Sequence, residues 1–348
     1  MPSFPRRRIL QSIDDQDNYV LQIDNSTLET YVTCPRSYEF GNIHGRTPEP
    51  KSALVFGSAI HRGLELYYKA RPNSEIIHAI LSEFPVEDNS FASDLGLDGD
   101  SNEWRTPELA VETVLEYMVR YPRDRESWSL MNFAEGPAVE IAFSLPLLET
   151  KINALCPWPQ NSLVVGAASP DQFHINTLTV FWTGKMDLLV QSRGDSGIWV
   201  MDHKTSSIAG GQFLNDFLLS QQTLGYTWAA REMLGITPHG FILDLIMNRK
   251  PTRTGTSRDF GRYPYAYPEW KLTEWRNDVQ AHIVKLLHDL FDRNFPKNPK
   301  WCVGKYGLCP YSTVCNINPE DRLNALQGSG FADNIWSPLN DHSSPTHI

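Results

Sequence analysis

The sequence predicts an α/β protein, a core sheet wrapped by helical additions at both ends. Three observations carry that reading. Helix-patterned segments come first, short β-rich runs bounded by turn residues begin near residue 137, and a long amphipathic helix followed by clustered cysteines comes last. A chain of 348 residues has room for one large domain or two ordinary ones.

Residues 1–20 are polar and read as a flexible N-terminus, and 21–135 as a helical N-terminal part. In DNSTLETYVTCPRSYEF, Ser26 and Glu29 fit a capping box, and Pro35 stops the helix just after Cys34. A second helix is expected in SALVFGSAIHRGLELYYKA, where Leu54, Ile60, Leu64 and Tyr67 or Tyr68 recur at helical spacing. Residues 84–106 read as an acidic loop, and a helix resumes from Pro107 to Tyr121. Residues 136–250 form the core, with strands expected in AVEIAFSLPL, TLTVFWTGKMDLLVQ, GIWVMDHKT and HGFILDLIMN and one helix in DFLLSQQTLGYTWAAREML. Residues 251–268 read as a basic, aromatic loop. Residues 269–318 read as a C-terminal helix, with Leu272, Trp275, Val279, Ile283, Leu286 and Leu290 on one side, and a cysteine segment. Residues 319–348 are polar and expected to be disordered.

Acidic residues outnumber basic ones 41 to 31, for a net charge of −10. That balance argues against a protein that simply coats nucleic acid, which needs a basic face. It is compatible with carboxylates gathered at a metal site beside a local basic groove. There is no apolar run long enough for a membrane span, and the N-terminus lacks the apolar region of a secretory signal, so a cytoplasmic location without membrane contact is expected. No G-x-x-x-x-G-K-[ST] motif is present, which argues against an intrinsic helicase motor.

The stretch IWVMDHKTSS concentrates the chemistry. Asp202 and Lys204 stand two residues apart at the end of an apolar strand, so they share a face. Asp187 lies upstream in TGKMDLLV, separated from Asp202 by a turn-forming QSRGDSG. A hairpin would bring the two carboxylates together, where they repel unless a cation lies between them. Mg²⁺ or Mn²⁺ suits such oxygen ligands, and Lys204 on the same face would orient a water against a phosphodiester.

Asp187 followed by Asp202-His203-Lys204 resembles the signature of the PD-(D/E)XK nucleases. Met186 stands where that signature has proline; the literal Pro170-Asp171 lies in the polar, turn-like SPDQFH and lacks the strand context. Three further segments resemble the RecB-like branch: GSAIH (Gly57–His61) its G-x-x-x-H element, QTLGY (Gln222–Tyr226) its Q-x-x-x-Y helix, and CPRSYEF its N-terminal C-P-R-x-Y box. The resemblance spans residues 26 to about 316. It implies a restriction-endonuclease-like mixed central sheet flanked by helices. It also implies one or two Mg²⁺ or Mn²⁺ ions held by His61, Asp187 and Asp202, with Glu140 and the backbone carbonyl of His203 as additional ligands. Glu140 has an ordinary ion pair as its alternative role. Gln222 and Tyr226, one helical turn apart, are expected to contact Lys204 or the DNA backbone, or else to form a buried hydrogen-bonded pair. The implied activity is a DNA exonuclease acting on free ends, single- or double-stranded, in recombination, repair or phage- and CRISPR-type processing, in a bacterial or phage-infected cell and beside a helicase or recombinase. The alternatives are an endonuclease of the same chemistry and a catalytically silent, cluster-bearing subunit.

Five cysteines, an odd number, argue against a disulfide framework. Cys302, Cys309 and Cys315 form C-x6-C-x5-C, and a closed site needs a fourth ligand, Cys34 or Cys156. The resemblance implies Cys34 and a 4Fe–4S cluster, with Zn²⁺ as the alternative, although the branch's usual spacing is C-x2-C-x5-C. Cys156 then reads as a buried free thiol. Such a cluster would close a loop of nearly the whole chain. Finally, NRKPTRTGTSRDFGRYPYAYP sets Arg253, Arg258 and Arg262 among tyrosines, a pattern suited to phosphates and unpaired bases, the alternative being a solvated loop.

Overall fold

The structure is a computed structural model. It describes residues 10–12, 16, 18–48, 52–84, 104–134, 136–156, 164–165, 173–207, 210–252, 255–304, 307–328 and 330–333. Arg253, the side chain of Cys156 and the acidic stretch 85–103 lie outside the described residues. In chain order, strand β1 (Asn18–Ile23) leads to helix α1 (Asn25–Thr33), and helices α2 (Ser52–Tyr68), α3 (Asn73–Ser82) and α4 (Pro107–Arg120) precede strand β2 (Trp128–Leu130). Two long strands follow, β3 (Val139–Cys156) and β4 (Phe173–Ser192). Then come β5 (Ile198–Ser206), helices α5 (Gly211–Leu218) and α6 (Gln221–Leu234), strands β6 (Gly240–Thr252) and β7 (Gly255–Ala266), and helix α7 (Glu269–Asp292).

The chain folds into two compact units, each assembled from separated stretches. The first comprises Met1–Glu49, Ala142–Lys185 and Leu272–Ile348, and the second Pro50–Ile141 and Met186–Lys271. In the second unit the strand order is β7–β6–β5–β4–β2, with β6 and β5 parallel and the other neighbours antiparallel. The parallel pair is joined through α5 and α6, as a crossover requires. Helices α2, α3 and α4 cover one face of this sheet. Phe56, Ile60, Leu64, Ile80, Val114 and Tyr117 pack there against Leu188, Val190, Met201 and Ile246. Leu54, expected in the apolar stripe of α2, is 66% exposed; the buried stripe runs instead through Phe56, Ala59, Ile60, Gly63, Leu64 and Tyr67.

In the first unit, β1 pairs in parallel with the first half of β4, from Asn18↔Thr177 to Ile23↔Trp182. The apolar stripe of α7 is the expected one, and its Trp275 meets Trp182 edge-to-face at 5.3 Å.

Local capping explains where helices start and stop, and it corrects several expectations. Helix α1 is capped by Asp24, whose carboxylate accepts from Thr27 N at 2.7 Å, rather than by Ser26 with Glu29. Cys34, ahead of Pro35, is extended at φ −157°, which ends α1. The single helix expected over 216–234 is two, because Ser220 breaks the run and caps α6 by accepting from Gln222 N at 3.1 Å. The stretch 251–268, expected as a loop, lies mostly in strand β7, paired with β6 from Gly240↔Ala266 to Thr252↔Gly255. Its Gly and Pro residues sit where a hairpin tolerates them: the register breaks between Arg249 and Thr252, around Pro251, and Pro264 lies on the edge strand. Two segments expected to be disordered contain structure. Leu10–Ser12 pairs with β1, and Phe331–Asp333 pairs with Arg46–Pro48, where Arg46 donates to Leu326 O and Phe331 O.

Candidate active site

The second unit brings His61, Asp187, Asp202 and Lys204 together. The hairpin of β4 and β5 pairs Met201 with Leu188, the immediate neighbours of Asp202 and Asp187, and the two carboxylates are close enough for the charge of Asp187 to act on Asp202. Lys204 follows Asp202 on the same face, its Nζ 2.6 Å from Asp202 Oδ2. His61 arrives on α2, which crosses β5 at very short range: a Cβ on Gly57 would lie 3.1 Å from Thr205 Oγ1. That close approach sets His61 Nδ1 3.3 Å from Asp187 Oδ2, and the same oxygen accepts from His203 N at 2.7 Å. Both carboxylates are buried, whereas His61 and Lys204 retain about a quarter of their exposure and mark the open side.

The electrostatics divide the two acids. Burial pushes Asp202 above its ordinary value and the charge of Asp187 adds to this, with Lys204 opposing. Burial acts the same way on Asp187, but His61, His203 and Lys204 override it and hold its carboxyl well below the usual range. Burial alone would lower His61 and Lys204; the neighbouring carboxylates outweigh it and raise both. Asp202 Oδ2 has Lys204 as its charge partner but no donor aligned for a hydrogen bond. Two buried acids, one of them under-satisfied, beside an imidazole and facing an opening, suit a divalent oxygen-seeking ion. Among the described residues no three His, Cys, Asp or Glu side chains form a group that could hold a metal ion.

The other expected residues are placed as follows. Gln222 Nε2 donates to Tyr226 OH at 3.1 Å on α6, and both side chains are half-buried. Glu140 is half-buried near the start of β3, in the left-handed region at φ 58°. Arg258 and Arg262, expected to contact DNA, are both turned toward α4 by strand alternation. Arg258 pairs with Glu112 at 2.7 Å and Glu116 at 3.3 Å. Arg262 is largely buried, bidentate on Glu126 at 2.6 and 2.9 Å, with its guanidinium 3.7 Å from the centroid of the Tyr121 ring. Sequence reasoning missed Asp244, Glu126, Tyr117 and Tyr68, which surround Arg262; an acid inside the apolar strand FILDLIM was the available signal.

In the first unit the four expected cysteines are all free thiols, and among the described residues they do not form a group that could hold a metal ion. Cys34 Sγ accepts from Asn298 N at 3.4 Å, and Cys302 Sγ lies 3.7 Å from Asn298 O. Cys302 and Cys309 flank a two-stranded hairpin, Val303–Gly304 with Gly307–Leu308, and Cys309 N donates to Cys302 O at 2.9 Å. Burial raises the Cys315 thiol, and the proximity of Cys309 and Cys34 raises it further.

The family model of the PD-(D/E)XK nuclease superfamily matches residues 25–316, a span that includes both clusters. No curated protein matches the chain. Among solved structures, a Eubacterium rectale protein named "putative exonuclease" shares 13% identity at a TM-score of 0.41, over 85% of this chain and 94% of that one. SSO0001 shares 14% identity at a TM-score of 0.29, over 88% and 89%. At these TM-scores neither likeness bears on the reading of the site.

Proposed function

Because the chain belongs to the PD-(D/E)XK nuclease superfamily, we propose that it is a divalent-metal-dependent deoxyribonuclease acting as an exonuclease on DNA with free ends. The observation that carries this reading is the meeting of Asp187, Asp202 and Lys204 on one face of one hairpin, with His61 laid onto Asp187. His61, Asp187 and Asp202 would hold one or two Mg²⁺ or Mn²⁺ ions, with the carbonyl of His203 and Glu140 as further ligands. A bound ion supplies Lewis-acid polarisation of the scissile phosphate. The chain's own groups do the rest. Lys204, kept protonated by its two carboxylate neighbours, presents Nζ at the opening, where it positions a water or neutralises charge on a phosphoryl oxygen. Gln222 and Tyr226 offer an amide and a hydroxyl to the DNA backbone.

The order of the G-x-x-x-H, D…D-x-K and Q-x-x-x-Y elements supports the RecB-like branch. The spacing of Cys302, Cys309 and Cys315, with Cys34 in the C-P-R-x-Y box, supports a 4Fe–4S cluster, with Zn²⁺ as the other occupant of such a thiolate set. The processes that fit are recombination, repair and phage- or CRISPR-type DNA processing, beside a helicase or recombinase that supplies or uses ends.

The test uses anaerobically purified protein with Mg²⁺ or Mn²⁺ on end-labelled linear DNA and covalently closed circles, single- and double-stranded. Loss of linear substrates alone is the expected result. Cutting of circles would replace the exonuclease by an endonuclease of the same chemistry, and inactivity on every substrate would count against the nuclease reading.

A further inference from the structure

A row of polar side chains crosses three neighbouring strands of the second unit, beneath the helices and behind the proposed ion site. The register sets His203 on β5 opposite Asp244 on β6, and Asp244 opposite Arg262 on β7. His203 Nδ1 lies 2.9 Å from Asp244 Oδ2, Tyr117 OH donates to the same oxygen at close range, and Arg262 Nε lies 3.4 Å from Oδ1. Glu126 ends the row as the bidentate partner of Arg262. The His203 ring is stacked on Tyr68, with centroids 5.6 Å apart and planes 9° from parallel.

Stability alone is a poor reason for this arrangement. A buried ion pair gives back much of its Coulombic gain as desolvation cost, and apolar residues of the same volume often serve as well. What distinguishes the row is where it ends. His203 lies between Asp202 and Lys204, and its backbone N–H donates to Asp187 Oδ2 at 2.7 Å. Its Nε2 is buried without a hydrogen-bond partner among the described residues, so the ring's only hydrogen bond there is the one through Nδ1, alongside its stacking on Tyr68. Fixing that ring fixes the peptide whose amide holds Asp187. Outer partners of this kind orient the groups that meet a metal and tune its affinity.

We propose that the His203–Asp244–Arg262–Glu126 row is a positioning device for the divalent-ion site, acting through the His203 backbone amide on Asp187. The proposal rests on the nuclease reading above and deepens it. Asp244 and Arg262 touch neither ion nor DNA in this account; they are positioning residues.

The test measures Mn²⁺ binding to the full chain without DNA, by electron paramagnetic resonance of free Mn²⁺, alongside nuclease rates and melting temperatures. Asp244→Asn is expected to weaken Mn²⁺ binding by about tenfold or more, in line with the loss of other outer partners of metal ligands. Added Mn²⁺ should restore its nuclease rate, with KM for DNA little changed. Tyr117→Phe, which removes one hydroxyl and keeps the carboxylate, should show a smaller shift of the same sign and decides the matter if Asp244→Asn does not fold. Ile80→Ala, a cavity in the same core, should lower the melting temperature while leaving Mn²⁺ affinity at the wild-type value. Row variants that lose melting temperature yet bind Mn²⁺ like wild type would overturn the proposal and leave the nuclease reading standing. A wild-type protein that neither binds Mn²⁺ nor cuts DNA would overturn both.

Discussion

Asp202 is costly where it stands: 2% exposed, beside a second buried carboxylate, and raised above its ordinary value by burial and by that neighbour. Groups kept in such positions trade stability for function. Asp202→Asn is therefore expected to abolish metal-dependent hydrolysis while keeping the melting temperature in EDTA at or above the wild-type value. A large fall in that melting temperature would show that Asp202 serves folding instead. At this scale the sequence was informative where chemistry follows from spacing two residues apart, as for Asp202 and Lys204. It was silent on Asp244, which stands 41 positions beyond His203 and meets it only through the pairing of neighbouring strands. Arg262 was expected at DNA because it is a cation among tyrosines; in the structure its partners are Glu126 and the Tyr121 ring.

Helix α2 depends on Gly57 to approach β5 closely enough for His61 to reach Asp187. Gly57→Ala places a methyl 3.1 Å from Thr205 Oγ1, so helix or threonine must give way. The helix propensity gained, about 1 kcal/mol, offsets much of that crowding, so urea unfolding should change by less than about 1 kcal/mol while the nuclease rate falls as His61 shifts. Asp24→Ala removes only the cap of α1; it should cost about 1 kcal/mol and leave the rate unchanged. Arg258→Gln breaks ion pairs whose acidic partners are half-exposed or more, so it should change stability by less than about 1 kcal/mol. It should also leave the salt dependence of DNA binding as in wild type; a flatter dependence would restore Arg258 to the DNA surface. Long periodic elements such as α7 were legible because seven buried positions repeat faithfully. The β6–β7 hairpin was not, since its glycines and prolines are also the residues of loops. The break before α6 hung on one serine whose hydroxyl caps a helix.

At the scale of the whole molecule, the first unit gathers Cys34 and the hairpin cysteines from opposite ends of the chain. Their proximity in sequence made three of them conspicuous; Cys34 was assigned by motif, and its place beside Asn298 comes from tertiary structure alone. If these thiols hold a 4Fe–4S cluster, anaerobic protein should contain iron and acid-labile sulfide in equal amounts. Cys309→Ser should lose both and melt earlier, as metal-coupled folding requires. Zinc without sulfide would assign the other occupant. The central claim concerns the second unit, and one measurement meets it directly: single-turnover hydrolysis of end-labelled linear DNA at saturating Mn²⁺ by wild type and Lys204→Ala, with Mn²⁺ binding measured on the same samples. Lys204→Ala is expected to lose about 10²-fold or more in rate, the scale of removing a charge-stabilising group, with Mn²⁺ still bound. A Lys204→Ala protein that cuts at the wild-type rate would contradict the central claim.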